Sequence, residues 1–334
     1  MALKALKVAR QERLELRNHL DLDFRSEMLR LVAEGLGAPN KWLHCKYLYD
    51  QRGSELFEAI CQTPEYYPTR TELGILDRHA PAIMDFFNLH GGDLVEIGSG
   101  ANQKVRCLLD SLTPQARGRL RYVPFDISET ALIEAARELL DLYPELCVLG
   151  LVADYTRHLA AIPAGRKLVV FFGSSLGNFD EDASQAFLSG VAATLNRQDR
   201  FLLGLDMVKP TAVIEAAYND AQGVTDRFIK NLLANVNREL GADFDLAAFD
   251  YHAFFNPARE CMEMHLRARR PLTCRVGDLD LTVCLDAGET IHAEIAQKYS
   301  PERAREMFRR AGLAPTRWFS DDQGWFSLVE LARA

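Results

Sequence analysis

The sequence predicts an α/β protein: a doubly wound, mostly parallel sheet accompanied by a second, discontinuous α+β lobe. Three observations carry that expectation. From residue 93, short apolar runs alternate with helix-length amphipathic runs, the pattern left by parallel strands and their crossover helices. The first run ends in the acid-and-glycine stretch "VEIGSG", where a strand has to turn tightly into a helix. Beyond Asp206 the pattern changes to a long helix and period-two runs, then returns to helix and hairpin at the C-terminus. The expected division is a sheet domain at 71–206 with 298–334, and a substrate-binding lobe at 1–70 with 207–297.

The elements follow in order. Residues 1 to about 70 read as mainly helical and are expected to pack with the lobe. Within them "PEYYPTR" (64–70) sets two tyrosines between prolines, which disfavour helix continuation and predict an extended or turn conformation for Tyr66 and Tyr67. The sheet strands are "DLVEIG" (93–98), "RYVPFD" (121–126), "LCVLGLV" (146–152), "KLVVFFG" (167–173) and "RFLLGLD" (200–206). Between them "ETALIEAARELLDLY" carries apolar residues at helical spacing, and "EDASQAFLSGVAATLNR" opens with acids suited to a helix N-terminus. The stretch "AYNDAQGVTDRFIKNLLANVNRELG" reads as one helix stopped by Gly241, followed by the alternating runs "ARECMEMHLRAR", "LTCRVGDLDLTVCL" and "ETIHAEIAQKY". Finally "SPERAREMFRRAGL" is a capped helix, and "APTRWFS" and "WFSLVELA" flank the turn "DDQG" in a hairpin expected to rejoin the sheet.

Composition narrows the function. A chain of 334 residues with 48% hydrophobic and 26% charged residues has an ordinary globular balance and a sizeable core. The net charge of −8, with no basic block, disfavours nucleic acid and anionic membranes as partners and points to a small-molecule substrate. The N-terminus lacks the apolar core of a signal peptide, and no stretch approaches the roughly eighteen apolar residues of a membrane span, so a cytoplasmic protein, read as a monomer, is expected. The seven cysteines are scattered with no C-x-x-C pair, which argues against disulfides and against a zinc site; no metal is expected.

The turn after the first strand carries Gly98 and Gly100, but Gln103 occupies the third position of the dinucleotide pattern G-x-G-x-x-G. Its E-x-G-x-G form instead resembles the first motif of class I, Rossmann-like S-adenosyl-L-methionine methyltransferases. Asp126 ends the second strand, where a carboxylate can take both ribose hydroxyls. Asp154 and Tyr155 follow the third strand, where an acid can accept the adenine amino group and a ring can stack on the base. All three positions lie at the carboxyl edge, where open α/β sheets bind ligands.

The stretches "KYLYDQRGSELFEAICQTPEYYPTRTE", "VEIGSGANQKVRCLLDSL", "VPFDIS", "ADYTRHL", "FFGSSLGNF", "LLGLDMVKP", "AAYNDAQGVTDRFIKNLLANVNRELGADF", "MEMHLRAR" and "AEIAQKY" run through nearly the whole chain. Together they resemble the histidine Nα-methyltransferases of ergothioneine biosynthesis, which trimethylate the α-amine of histidine. The resemblance implies that Gly98, Lys104, Asp126, Asp154 and Tyr155 contact the cofactor. It further implies that Tyr66, Tyr49, Gly173, Asn178, Tyr218, Met264 and Glu294 line the amino-acid pocket, leaving Tyr67 to packing. In those roles the Asn178 amide serves the substrate carboxylate and amine, the Gly173 carbonyl orients an N–H, and Tyr218 donates to the carboxylate. Tyr49 faces the amine as it becomes cationic, and Glu294 accepts from the imidazole.

Where the family reads E-x-S, this chain reads Glu294-Ile295-Ala296, so the serine hydroxyl that completes imidazole recognition is missing. An unpaired polar partner costs about 1–3 kcal/mol, which opens the alternative of an α-N-methyltransferase for another amino acid. Two further alternatives are a nicotinamide-dependent oxidoreductase and a non-catalytic cofactor-binding protein. A hydrolase built on Ser174 or Ser175 with His252 or His292 is disfavoured, although "GSSLG" (173–177) has the G-x-S-x-G spacing of a nucleophile elbow. On its residues alone Asn178 reads equally as a helix cap, and Met264 as core.

Overall fold

A computed structural model describes residues 13–20, 24–87 and 90–334. The first dozen residues, on which much of the export reading rests, lie outside the described residues. The chain divides into two compact units, one made of Met1–Leu20, Arg70–Met207 and Tyr299–Ala334, the other of Asp21–Thr69 and Val208–Lys298.

The first unit is built on an eight-stranded sheet. Its strands are β1 (Leu14–Asn18), β2 (Gly92–Ile97), β3 (Leu120–Asp126), β4 (Cys147–Val152), β5 (Lys167–Phe171) and β6 (Arg200–Asp206), joined by a C-terminal pair described below. In β2, Leu94 and Val95 point to opposite faces and both are fully buried, as are Tyr122 and Val123 in β3. A parallel sheet covered on both faces demands such continuous apolar runs, which is why these strands lack alternation. Two apolar cores form, one per face.

The second unit contains a three-stranded antiparallel sheet and a separate hairpin. The sheet is formed by β7 (Phe249–Asn256), β8 (Cys261–Ala268) and β11 (Thr290–Gln297), in the order β11-β8-β7; the hairpin is β9 (Leu272–Val276) with β10 (Leu281–Leu285). Helices Phe24–Gly37, Gln51–Cys61, Thr211–Tyr218 and Val224–Leu240 complete the unit. After it the chain returns to the large sheet through the helix Pro301–Arg310, whose N-terminal amide at Arg303 is capped by Ser300, and the hairpin β12 (Leu313–Ser320) and β13 (Phe326–Arg333). The large sheet then reads β1-β4-β3-β2-β5-β6-β13-β12, parallel from β1 to β6, with β13 antiparallel to β6. Chain order reverses between β2 and β5, so their carboxyl ends flank the crevice where such sheets take ligands.

Three expectations are corrected. Residues 13–20 belong to the large sheet rather than to the lobe: β1 pairs in parallel with β4, Leu14 opposite Val148 and Leu16 opposite Gly150. Leu14 and Leu16 alternate with Glu15 and Arg17, which suits an edge strand better than a helix. The long helix after Ala217 is two helices, because Gly223 adopts φ +64° and Asp220 accepts from the Val224 and Thr225 amides at 2.7 and 2.8 Å, starting a new helix. In "PEYYPTR" Tyr67 begins the helix Tyr67–Met84, with Pro68 in the first turn, where a missing N–H costs no hydrogen bond.

Candidate active site

On the first unit, Gly98 follows β2 with φ +69°, a conformation open to glycine, and its amide donates to the Phe125 carbonyl at 2.8 Å. A side chain added at Gly100 would meet nothing within 4 Å. Between the two glycines, the Ser99 hydroxyl is buried without a hydrogen-bond partner. Asp126 closes β3, and burial pushes its carboxyl up to about 6 although it accepts from the Ser128 amide at 2.9 Å. Asp154 accepts from the Thr156 amide and hydroxyl through one oxygen, at 2.8 and 2.6 Å. Tyr155 leans on Phe171, Phe179 and Phe187, with ring centroids 5.7 to 6.3 Å away. Open backbone beside the switch point, acceptors after successive strands and a ring beside the second of them fit a nucleoside-bearing cofactor such as S-adenosylmethionine.

Gly173 follows β5, directly across the switch point, with φ +77°, and Ser174 continues at φ +57°. Two left-handed residues in succession reverse the chain within "GSS" and bring Asn178 to the end of the short 3-10 turn Ser175–Asn178. Asn178 does not cap the next helix. That cap is Asp180, whose carboxylate accepts from the Ala183 amide at 2.8 Å.

A residue that sequence reasoning missed organises this edge. The Glu72 carboxylate, fully buried, accepts the Gly173 amide at 3.0 and 3.1 Å and pairs with the Lys104 ammonium at 2.7 Å. Gly204 lies close beneath it: a Cβ there would come within 2.6 Å of a Glu72 oxygen and force the carboxylate to shift. Lys104 is thus held beside Gly173, whose own Cβ would lie 3.3 Å from the ammonium. Glu96, the acid of the motif, is also buried; desolvation raises it to about 7 while the Tyr122 hydroxyl donates to it.

On the second unit, three of the expected pocket tyrosines belong to one aromatic cluster. Tyr49 meets Phe57 and Phe228 edge-on at 5.8 and 5.5 Å, and Tyr66 meets Phe57 and Tyr218, each at 6.2 Å. Tyr66 is buried but Tyr49 is 42% exposed, so the cluster has an open end. Tyr67, also buried, accepts from Lys209 at 2.8 Å, which is a packing role. The buried Lys298 donates to the Tyr218 hydroxyl at 2.8 Å. A phenol oxygen that accepts from an ammonium keeps its own proton to donate.

The remaining lobe residues share one face of the three-stranded sheet. Between His292 and Glu294 the β11 register slips by one residue, so that Glu294 faces Met264 and Ala296 faces Met262. Such a bulge re-aims every side chain beyond it. Tyr251 lies on the same face and donates to the Tyr218 carbonyl at 2.8 Å, tying that face to the tyrosine cluster. Glu294 is 7% exposed, and desolvation, partly offset by Lys298, raises its carboxyl to about 8. Neither Lys298 nor Tyr251 carries a sequence signal of its own.

Residues 28–333 match the family model for histidine-specific, S-adenosylmethionine-dependent methyltransferases. The chain belongs to that family. A histidine N-α-methyltransferase of Mycolicibacterium smegmatis is 44% identical to this methyltransferase, over 94% of the chain and 98% of the relative. One of Mycobacterium tuberculosis is 41% identical over 96% and 100%. Ergothioneine biosynthesis protein 1 of Neurospora crassa is 30% identical over 80% of this chain and 30% of its own longer length. Membership removes the nicotinamide reading of the glycine turn. Among the described residues, no helix of this methyltransferase is long and apolar enough to cross a membrane.

Proposed function

We propose that this methyltransferase methylates the α-amine of L-histidine up to three times, giving histidine betaine as in ergothioneine biosynthesis. The observation that carries the reading is the match to histidine-specific methyltransferases over residues 28–333, and Glu294, a buried carboxyl whose pKa burial raises, is of a kind to share a proton with an imidazole. S-adenosylmethionine, when bound, supplies a methyl group on a sulfonium sulfur. Each round forms one N–C bond, breaks one S–C bond and releases one amine proton, so the nitrogen needs a free lone pair and a fixed direction.

In this reading Gly98, Gly100, Lys104, Asp126, Asp154 and Tyr155 hold the cofactor. Asn178 and the Gly173 carbonyl orient the amine, Asn178 and Tyr218 hold the carboxylate, and Tyr49 accommodates the growing positive charge. Tyr66, Met264, Glu294 and Ala296 surround the side chain. A monomer acting on a small molecule in the cytoplasm, without nucleic-acid or membrane partners, belongs to the same proposal.

Ala296 favours one second reading, in which another amino acid is the better substrate. Assaying all twenty amino acids with methyl-labelled cofactor tests both. Fastest turnover on histidine, with products gaining up to three methyl groups by mass, is expected; faster turnover on another amino acid would replace histidine and keep the chemistry.

A further inference from the structure

We propose that Glu263, His265 and His292 form a binding site for a divalent transition metal of the zinc class, on the sheet face opposite Glu294. Cross-strand register builds it. His265 stands opposite His252 on β7 and opposite His292 on β11, so three imidazoles cross the sheet in one row. Glu263, two residues before His265 on β8, falls on the same face. The bulge after His292 turns Glu294 away from this face, separating the row from the proposed substrate residues.

A carboxylate oxygen of Glu263 and one ring nitrogen each of His265 and His292 all lie within 4.8 Å of one another. One pair is already at ligand spacing: His265 Nε2 is 3.2 Å from Glu263 Oε2. Around a metal with ligand bonds of about 2.0–2.2 Å, tetrahedral ligand atoms sit about 3.4 Å apart, so a modest inward turn of the His292 ring completes three ligands. The other Glu263 oxygen is held by Asn256 at 2.8 Å and Arg259 at 3.1 Å, which fixes the carboxylate and leaves Oε2 facing the rings. His265 is further oriented by stacking on Phe254, with ring planes 9° apart.

An independent observation points to a ligand. His265 Nδ1 and His292 Nε2 are both buried with no hydrogen-bond partner. On His265 the nitrogen beside Glu263 is Nε2, so that atom is the ligand and Nδ1 carries the proton; the orphan that a metal would relieve is His292 Nε2, an uncommon state for a buried ring nitrogen in a folded protein. Nitrogen ligands together with one carboxylate select zinc-class metals over magnesium or calcium. With three protein ligands a fourth position stays open to water or to His252. Both metal-facing rings are only partly buried, which leaves a route of entry.

The test uses the full chain, stripped with a chelator and titrated with zinc sulfate against a chromophoric competitor, with cobalt(II) binding followed by its visible spectrum. One zinc per chain is expected, with cobalt bands of a nitrogen-ligated, four-coordinate site. His292→Ala and His265→Ala should each weaken zinc binding by more than about 100-fold, since loss of a mere supporting contact costs about 10–100-fold. Unchanged S-adenosylhomocysteine binding checks that the variants are folded. If they misfold, the wild-type cobalt spectrum decides alone. No stoichiometric zinc binding, a cobalt spectrum of oxygen ligands only, or full affinity in the folded double variant overturns the proposal.

Discussion

Glu294→Gln is expected to stabilise the protein increasingly as pH rises from 4.5 to about 8, and to weaken histidine binding. The carboxyl titrates near 4.5 in the unfolded chain and at about 8 in the folded one, because burial disfavours its anion. An acid whose folded pKa is raised binds its proton more tightly when folded, so stability is unaffected below the unfolded value and falls as pH rises towards the folded one. The slope is about 1.4 kcal/mol per pH unit over that window. Between pH 5.5 and pH 7.5 the wild type should therefore lose about 2.5 kcal/mol that the glutamine variant, which cannot ionise, keeps. Urea unfolding of both proteins at several pH values, read as their difference, removes the contributions of the other buried acids. Separately, the Michaelis constant for histidine should rise about 10- to 150-fold, the worth of a charge-assisted hydrogen bond of about 1.5–3 kcal/mol. Parallel stability curves for the two proteins would refute the burial argument, and an unchanged Michaelis constant would remove Glu294 from the imidazole.

Asp126→Ala should weaken S-adenosylmethionine binding, measured by calorimetry, by about 1.5–3 kcal/mol per lost ribose bond. In the wild type that affinity should also fall as pH drops below about 6, where Asp126 takes up its proton; Asp126→Asn should abolish the pH dependence. Asn178→Ala should nearly abolish turnover while cofactor affinity stays within about twofold, because only substrate orientation is lost. Ala296→Ser should lower the Michaelis constant for histidine several-fold at constant turnover number, as one net hydrogen bond of about 0.5–1.5 kcal/mol allows. Glu72→Ala should cost about 3–5 kcal/mol in urea unfolding, since it strands the Lys104 charge and the Gly173 amide together, and Glu72→Gln, which still accepts from the amide, should cost less.

How much of this was legible depends on how local the cause was. The strands β2 to β6 are apolar along their length because both sheet faces are covered, and such runs show plainly in sequence. β1 was missed because its alternation runs over only five residues, Leu14–Asn18, too short a stretch to stand out from the mixed charged and apolar residues around it. The break at Asp220 to Gly223 was written in residues that favour caps and left-handed turns, but the helical spacing on either side outweighed them. Asp126 and Asp154 were legible as strand-end acids because chain order sets those positions, whereas Asn178 stood out only through the family resemblance. Glu72 was not, since nothing near it announces burial: its partners, Lys104 and Gly173, are brought to it by the sheet. Lys298 and Tyr251 escaped for the same reason, their link to Tyr218 existing only in three dimensions.

The bulge in β11 makes Ala293 a frame-shifting residue in a strand that is read on both sides. His292 and Glu294 would project the same way in a regular strand; one extra residue sends them to opposite sides. Deleting Ala293 should therefore leave each face with its own residues: His292 and Glu294 become neighbours, which regular alternation sends to opposite sides, His292 still opposite His265 and Glu294 still opposite Met264. What exchanges the faces is loss of the bulge without loss of length. With Ala293 kept and the strand pulled straight, Glu294 would stand opposite Glu263 beside the histidine row, and every residue after it would change sides.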